Sequence, residues 1–313
     1  MRSYLFVPGD DEDKIVKAFD TDADAVILDL EDSVAPSERA RARSVVCDAL
    51  EALTPDMRKA CPRPFVRVNP LGDGEAFRDL DAIMPGKPAG IVLPKSRSGE
   101  DAKKISEMLV SKESEMAMTT GTVKLIVVAT ETARSMFGLS TYGGATPRLI
   151  GMGWGAEDLS ADMGATANRG DDGRFLDPYI LARSLCLYAA HAARIDAIDT
   201  VYVNYKDHDG FRQDCREALR DGFTSKMAIH PAQVPIINDA FTPSKSQVDK
   251  AKAIIDAFGK AGNVGVVGLD GEMFDRPHLI RSKKLVARAD EYGVKDDEPE
   301  KPATKKKKAG KKG

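Results

Sequence analysis

Residues 25–32 read AVILDLED, and this stretch shows the pattern that decides the fold. Its apolar residues are nearly continuous and do not alternate with polar ones, which is typical of a strand buried on both faces of a parallel sheet. Acidic side chains at Asp29, Glu31 and Asp32 close the run. We therefore expect a buried strand over residues 25–30 with a polar cluster at its carboxyl end.

Similar apolar runs recur along the chain. Together they make eight predicted strands, at 4–8, 25–30, 65–69, 90–94, 125–129, 149–154, 200–204 and 226–230. Helical patterns lie between them, for example at 37–53, 100–109 and 177–195. Eight repeats of a strand followed by a helix predict an α/β fold, a TIM (β/α)8 barrel, over residues 1–242. A doubly wound open sheet is disfavoured, because Gly9 alone does not supply a phosphate-binding glycine fingerprint after the first strand.

Polar or turn-forming residues follow each predicted strand. They lie at 8–10, 29–32, 67 and 69, 95–96, 130–132, 155–158, 204–206 and 230–231. In a closed barrel the carboxyl ends of all strands meet at one mouth, where the active sites of such enzymes lie. The candidate chemistry is therefore expected at this mouth.

The residues after the barrel predict an appendage. A long helix is expected over 247–260, a glycine-rich strand or hairpin over 262–271, and a last helix from 277 to about 292. We interpret residues 243–293 as a C-terminal lid extension. Residues 294–313 are rich in lysine and charged overall, so a disordered tail is expected there. It is interpreted as a solubilising tail, with contact to an anionic surface as the alternative.

Composition excludes several classes of protein. The 46 basic and 49 acidic residues give a net charge of −3, which does not indicate a nucleic-acid partner. The four cysteines are widely spaced and no leader pattern opens the chain, so we expect free thiols and a cytoplasmic location. No stretch approaches the roughly 20 apolar residues that a membrane span needs. No membrane contact is expected.

Two carboxylates at neighbouring strand ends suggest a metal site. Glu131 follows the fifth predicted strand and Asp158 follows the sixth, so both can reach one ion. Carboxylate oxygens suit a hard cation such as Mg²⁺, which usually takes only one or two of them. Glu157 competes with Asp158 for this role, and ion pairing of each acid with a rim Arg or Lys is the alternative.

Arg67 lies in the otherwise apolar run FVRVN at 65–69. A buried arginine must be paired or must face a ligand. One interpretation is an ion pair with Glu31 or Asp29 on the preceding strand. The other is that Arg67 binds a carboxylate or stabilises an enolate oxygen, which its forked donors suit.

The ordered motifs resemble one family. They are RSYLFVPG at 2–9, DLEDSV at 29–34, VRVNP at 66–70, LPK at 93–95, ET at 131–132, GAEDL at 155–159 and IHPAQ at 229–233. Together they resemble the citrate lyase β-subunit-like, or HpcH/HpaI aldolase, superfamily, and the resemblance extends from residue 2 to about residue 289.

The resemblance implies a Mg²⁺-dependent lyase, with Mn²⁺ as a substitute metal, that cleaves a 3-hydroxyacyl-CoA such as malyl-, methylmalyl- or citramalyl-CoA. The products would be acetyl- or propionyl-CoA and a small 2-oxo acid, glyoxylate or pyruvate. The implied residues are metal ligands Glu131 and Asp158, substrate-binding Arg67 and Glu131, CoA-cleft residues Phe6, Lys14 and Pro94, and the acid/base Asp275. The MFDRP motif at 273–277 resembles a lid that reaches a neighbouring subunit, so a homo-oligomer, a trimer or hexamer with exchanged lids, is expected.

Other activities and roles remain open at this point. Asp275 could simply cap the helix that begins before Pro277. A pyruvate aldolase of the same superfamily uses a histidine base, but none of the four histidines follows an early strand. A malyl-CoA thioesterase on the same metal site and a citryl-thioester lyase β subunit acting on an acyl-carrier protein are the remaining alternatives.

Overall fold

The computed structural model describes residues 1–262 and 264–294. They belong to two units, one from Met1 to Phe241 and one that begins at Thr242, and each is described by itself. The lysine-rich tail predicted for 294–313 lies outside the described residues from position 295 onward. In the described ranges, no helix is both long enough and apolar enough to span a bilayer.

The first unit contains a closed barrel of eight parallel strands in sequence order, with β1 paired to β8. The strands are β1 (Ser3–Pro8), β2 (Ala25–Asp29), β3 (Arg63–Arg67), β4 (Gly90–Leu93), β5 (Lys124–Val128), β6 (Leu149–Gly153), β7 (Asp196–Asp199) and β8 (Ser225–Ala228). The TIM-barrel prediction is confirmed.

Helices follow the strands and cover the outside of the barrel. They are α1 (Glu12–Phe19), α2 (Arg39–Glu51), α3 (Met57–Ala60), α4 (Glu75–Ile83), α5 (Gly99–Glu115), α6 (Ala156–Asp162), α7 (Asp177–Ala193), α8 (His208–Asp221) and α9 (Val234–Phe241). Short 3-10 turns lie at Pro36–Glu38, Met84–Gly86, Ser135–Phe137, Leu139–Thr141 and Pro231–Gln233. Side-chain caps from Asp11, Ser98 and Asp207 begin α1, α5 and α8, since a cap satisfies an otherwise unpaired N–H of the first turn.

The barrel strands carry two apolar layers. Inward-facing side chains such as Tyr4, Ile27 and Phe65 fill the barrel and are fully buried. Outward-facing residues of the same strands pack under the helices in a larger core. Burial on both faces explains why the strand sequences are continuously apolar, as the sequence pattern indicated.

The seventh strand differs from its prediction. It spans Asp196–Asp199, whereas the apolar run at 200–204 lies in the loop that follows. The acidic ends hide the strand in the sequence, yet Ala197 and Ile198 are fully buried. Asp199 is tolerated there because Lys226 lies 2.9 Å and Arg183 3.2 Å from its carboxylate. These ion pairs lower the pKa of Asp199, although burial alone would raise it.

The second unit consists of α10 (Lys245–Ala261), the antiparallel strands β9 (Val266–Leu269) and β10 (Glu272–Asp275), and α11 (Arg276–Glu291). The glycine-rich segment therefore forms a hairpin, whose turn contains Gly271 at φ 81°. Phe258 of α10 and Phe274 of β10 are buried together in a small apolar cluster. The assignment of this unit as a lid stays a prediction.

Candidate active site

Arg67 is the centre of an ion-pair cluster at the ends of β2 and β3. The strand register sets Asp29 directly beside Arg67. Nε and Nη2 of the arginine donate to the two carboxylate oxygens of Asp29 at 2.6 and 2.7 Å, and Nη1 lies 3.1 Å from Glu31. The guanidinium also lies over the ring of Phe6, 4.8 Å from its centroid. The structure thus confirms the ion pair that the sequence suggested, and it involves both acids.

The ion pair between Arg67 and Asp29 keeps both side chains charged. Burial alone would raise the pKa of Asp29, but hydrogen bonds from Arg67 and the positive charge of Arg67 lower it below its ordinary value. For Arg67, burial works in the opposite direction to its bonds with Asp29, and the net effect raises its pKa. The guanidinium of Arg67 is permanently charged, and its two hydrogen bonds to Asp29 hold it in one orientation.

Glu131 and Asp158 supply two further carboxylates. Glu131 follows β5 and is 3% exposed, while Asp158 lies half-buried in the first turn of α6. Burial, followed by the negative charges of Asp158 and Glu31, raises the pKa of Glu131 to about 8. The two acids therefore lie close enough for the charge of one to act on the other. Glu157 is exposed and accepts a hydrogen bond from Asn168 at 2.8 Å, so it is engaged elsewhere.

Lys95 links these carboxylates, a role that the sequence did not reveal although it placed Lys95 at the barrel mouth and in the LPK motif at 93–95. Its backbone N–H donates to Oε2 of Glu131. Its ammonium lies 2.5 Å from Glu31, 3.0 Å from Asp158 and 3.3 Å from Asp32. The sequence signals were a lysine directly after the apolar run that became β4 and the membership of that lysine in the LPK motif.

The donor set fits a divalent metal ion bound by few protein ligands. Within the described residues, no group of three or more His, Cys, Asp or Glu side chains is arranged as a complete metal cage. Mg²⁺ usually takes one or two carboxylates and completes its shell with water and substrate oxygens. Glu131 and Asp158 satisfy that requirement. Gly155 also makes room for the side chain of Glu131, because a Cβ at position 155 would lie only 2.8 Å from Cγ of Glu131.

Gly155→Ala is expected to weaken metal binding about 10- to 100-fold, the range typical of losing a group that orients a metal ligand. The backbone of Gly155 is extended at φ −125°, so the added methyl acts on Glu131 and not on the backbone. Titration with Mn²⁺ would measure the change. Gly143→Ala is the control, because the added Cβ meets nothing within 4 Å. Equal affinities for the two variants would contradict the role of Gly155.

The residues implied for the CoA cleft are placed differently from one another. Phe6 lies beneath Arg67, and buried Pro94 immediately precedes Lys95. Lys14 is exposed on α1 and forms an ion pair with Asp11 at 2.8 Å. Phe6 and Pro94 therefore adjoin the charged cluster, while the contacts of Lys14 involve its own helix cap.

Asp275 lies in the second unit, where it caps α11. Its side chain accepts from the backbone N–H of His278 at 3.4 Å, and the backbone N–H of Asp275 donates to Nδ1 of His278 at 3.3 Å. A direct bond to the His278 ring lowers the pKa of Asp275. The capping role that the sequence left open is thus present. The carboxyl is still 47% exposed, which leaves it accessible to a ligand.

Comparison with known proteins gives consistent matches. The family model described as HpcH/HpaI aldolase/citrate lyase matches residues 2–231, and one described as a C-C bond lyase of the TIM-barrel fold matches residues 173–294. The chain is 32% identical to citrate lyase subunit beta of Escherichia coli K12 over 299 residues, 95% of each chain. It is 34% identical to a (3S)-malyl-CoA thioesterase of Cereibacter sphaeroides over 292 residues, 92% of this chain and 94% of the relative. A structure of Mycobacterium tuberculosis CitE with magnesium, acetoacetate and coenzyme A superposes with a TM-score of 0.75 at 31% identity, covering 92% of this chain and 98% of that one.

Proposed function

Since this chain belongs to the HpcH/HpaI aldolase/citrate lyase family, we propose that it is a Mg²⁺-dependent lyase that cleaves a carbon–carbon bond in a 3-hydroxyacyl-CoA. The substrate class is malyl-, methylmalyl- or citramalyl-CoA, and the products are acetyl- or propionyl-CoA with glyoxylate or pyruvate. Relatives that act on malyl-CoA or bind coenzyme A with a small keto acid support this choice.

One structural observation carries the proposal. Glu131, Asp158 and Arg67 come from three different strand ends, and Lys95 and Glu31 join them into a single charged cluster. Such a cluster places carboxylates for a metal beside a permanent positive charge. That combination suits a reaction in which negative charge develops on an oxygen atom.

The chain's own residues then divide the chemistry. When bound at Glu131 and Asp158, Mg²⁺ supplies a Lewis acid and a template for the 2-oxo acid half of the substrate. In cleavage the C3 hydroxyl loses its proton to solvent and becomes the carbonyl of the 2-oxo acid, while the bond between C2 and C3 of the acyl chain breaks and its electron pair passes to a thioester enolate. Arg67 places fixed charge near the enolate oxygen, a contribution of about 3 to 4 kcal/mol for one donor. Asp275 takes up a proton from solvent and delivers it to the enolate carbon, and in the synthetic direction its carboxylate removes that proton.

The lid part of the proposal requires an oligomer. We infer that Asp275 acts in the site of a neighbouring subunit of a trimer or hexamer, as the MFDRP motif implies. If the second unit closes over that neighbouring site as a lid, it would also keep water from the enolate. A fully active monomer in sedimentation velocity would contradict this part alone.

The proposal is tested with the purified enzyme and a panel of malyl-, methylmalyl- and citramalyl-CoA. We expect one ester to release a 2-oxo acid with Mg²⁺, no free thiol to appear, and EDTA to stop the reaction. Free thiol without a keto acid would instead support the second candidate, a thioesterase, which the 34% identical relative favours. Activity restricted to an acyl-carrier thioester would favour a citrate lyase β subunit, which the Escherichia coli relative favours.

A further inference from the structure

Lys95 has an unusual backbone conformation for a residue other than glycine. Its φ is 49°, in the left-handed region that side chains with a Cβ rarely adopt. Such conformations persist where surrounding contacts determine them, and they concentrate at functional sites. The contacts here are the N–H bond to Glu131 and the ammonium pairs with Glu31 and Asp158.

The charges around Lys95 are unequal. In the described part of the mouth, the cluster of contacting charged groups contains five carboxylates and two cations: Asp29, Glu31, Asp32, Glu131 and Asp158 with Arg67 and Lys95. Nε and Nη2 of Arg67 both donate to the carboxylate of Asp29. The ammonium of Lys95 therefore balances the carboxylates on the metal side of the cluster, and it is the cation in contact with Asp158.

We propose that Lys95 is a counter-ion of the metal site, whose ammonium competes with the metal ion for Asp158 and so limits how tightly the metal is held. This inference rests on the proposed metal ligands Glu131 and Asp158. Two cations that share one carboxylate repel each other, and the repulsion is strong in a partly buried site. Glu31 and Asp32 offer the ammonium alternative partners at 2.5 and 3.3 Å, so it remains paired when Asp158 binds a metal.

A purely structural lysine makes the opposite prediction. If Lys95 served only to hold the carboxylates together, its removal would let them move apart and would weaken metal binding. If it competes with the metal, its removal strengthens binding. The sign of the change in metal affinity thus separates the two roles.

The test is Mn²⁺ titration of the full-length protein by isothermal calorimetry, at one pH and ionic strength. Lys95→Met is expected to bind Mn²⁺ at least about tenfold more tightly than wild type. Lys95→Arg, which keeps the charge, is expected to stay within about threefold of wild type. The matched control is Lys87→Met, because Lys87 is exposed and has the same φ of 49° outside the cluster. Lys95→Gln carries the same expectation as Lys95→Met if the latter does not fold.

Unchanged or weaker binding by both neutral variants would overturn the inference. If wild type binds Mn²⁺ and Asp158→Asn abolishes that binding, the proposed metal site stands and only the role of Lys95 fails. If wild type shows no saturable Mn²⁺ binding, the proposed metal site fails and the inference falls with it.

Discussion

Glu131→Gln is expected to lower metal-dependent turnover at least about a thousandfold while the barrel stays folded. A metal ion contributes several kcal/mol of transition-state stabilisation, and each 1.36 kcal/mol is worth a factor of ten in rate. Glutamine has nearly the same volume as glutamate but carries no charge for the metal. It also removes a carboxyl whose ionised form is disfavoured by burial, Asp158 and Glu31, so thermal unfolding should not move to lower temperature.

The choice between the two acids after β6 provides an internal control. Asp158→Asn is expected to cause a loss of the same order as Glu131→Gln, because both residues would hold the same ion. Glu157→Gln should keep turnover within about twofold, since the side chain is exposed and its bond to Asn168 accommodates an amide. Rates measured across an Mg²⁺ titration decide the matter. Full activity of Asp158→Asn together with loss in Glu157→Gln would mean that the ligand was assigned wrongly.

Asp275→Asn is expected to lower turnover about 10²- to 10⁴-fold, the contribution typical of a general acid or base. Binding of the CoA ester should be retained. Asparagine caps helices about as well as aspartate, so α11 should still begin at Arg276. Initial rates and ester-binding titrations would separate the two effects. Near-wild-type turnover would assign Asp275 to capping alone.

Two controls sharpen the experiment on Asp275. Ser244→Ala removes the corresponding cap of α10, which accepts from Gln247 N at 3.4 Å, and should cost about 1 kcal/mol of stability without lowering turnover. Mixing inactive Glu131→Gln and Asp275→Asn subunits should restore part of the activity, because exchanged lids would create some sites with both native residues. Mixtures that stay inactive after confirmed subunit exchange would contradict the exchange of lids between subunits.

Much of the barrel could be predicted from sequence because burial on both faces imposes a simple pattern. Strands such as β2 and β4 are continuously apolar and end at polar residues, so their position follows from hydrophobicity alone. The seventh strand was missed because both of its end residues are acidic, and Asp199 is neutralised by Lys226 and Arg183, which lie 27 and 16 residues from it in sequence. Hydrophobicity does not record such tertiary ion pairs.

The candidate site was predicted unevenly for a similar reason. Arg67 stood out because an arginine inside an apolar run needs a partner, and the adjacent strand offered Asp29 and Glu31. Lys95 follows its strand, where a charged residue is ordinary, so its convergence on Glu31, Asp158 and Glu131 depends on three loops meeting in space. The cap formed by Asp275 could be anticipated from the following Pro277, whereas its catalytic role in a neighbouring subunit is a proposal that rests on the MFDRP motif.

The most direct measurement is the fate of the acyl chain when the wild-type enzyme and Mg²⁺ act on the ester selected from the panel, labelled with ¹³C at C2. Nuclear magnetic resonance follows the labelled carbon through the reaction. We expect the label to appear in the acyl group of acetyl- or propionyl-CoA, with a 2-oxo acid formed in equal amount. When EDTA is present, we expect the labelled ester to remain uncleaved. Label recovered in a free hydroxy acid, with coenzyme A released, would contradict carbon–carbon cleavage.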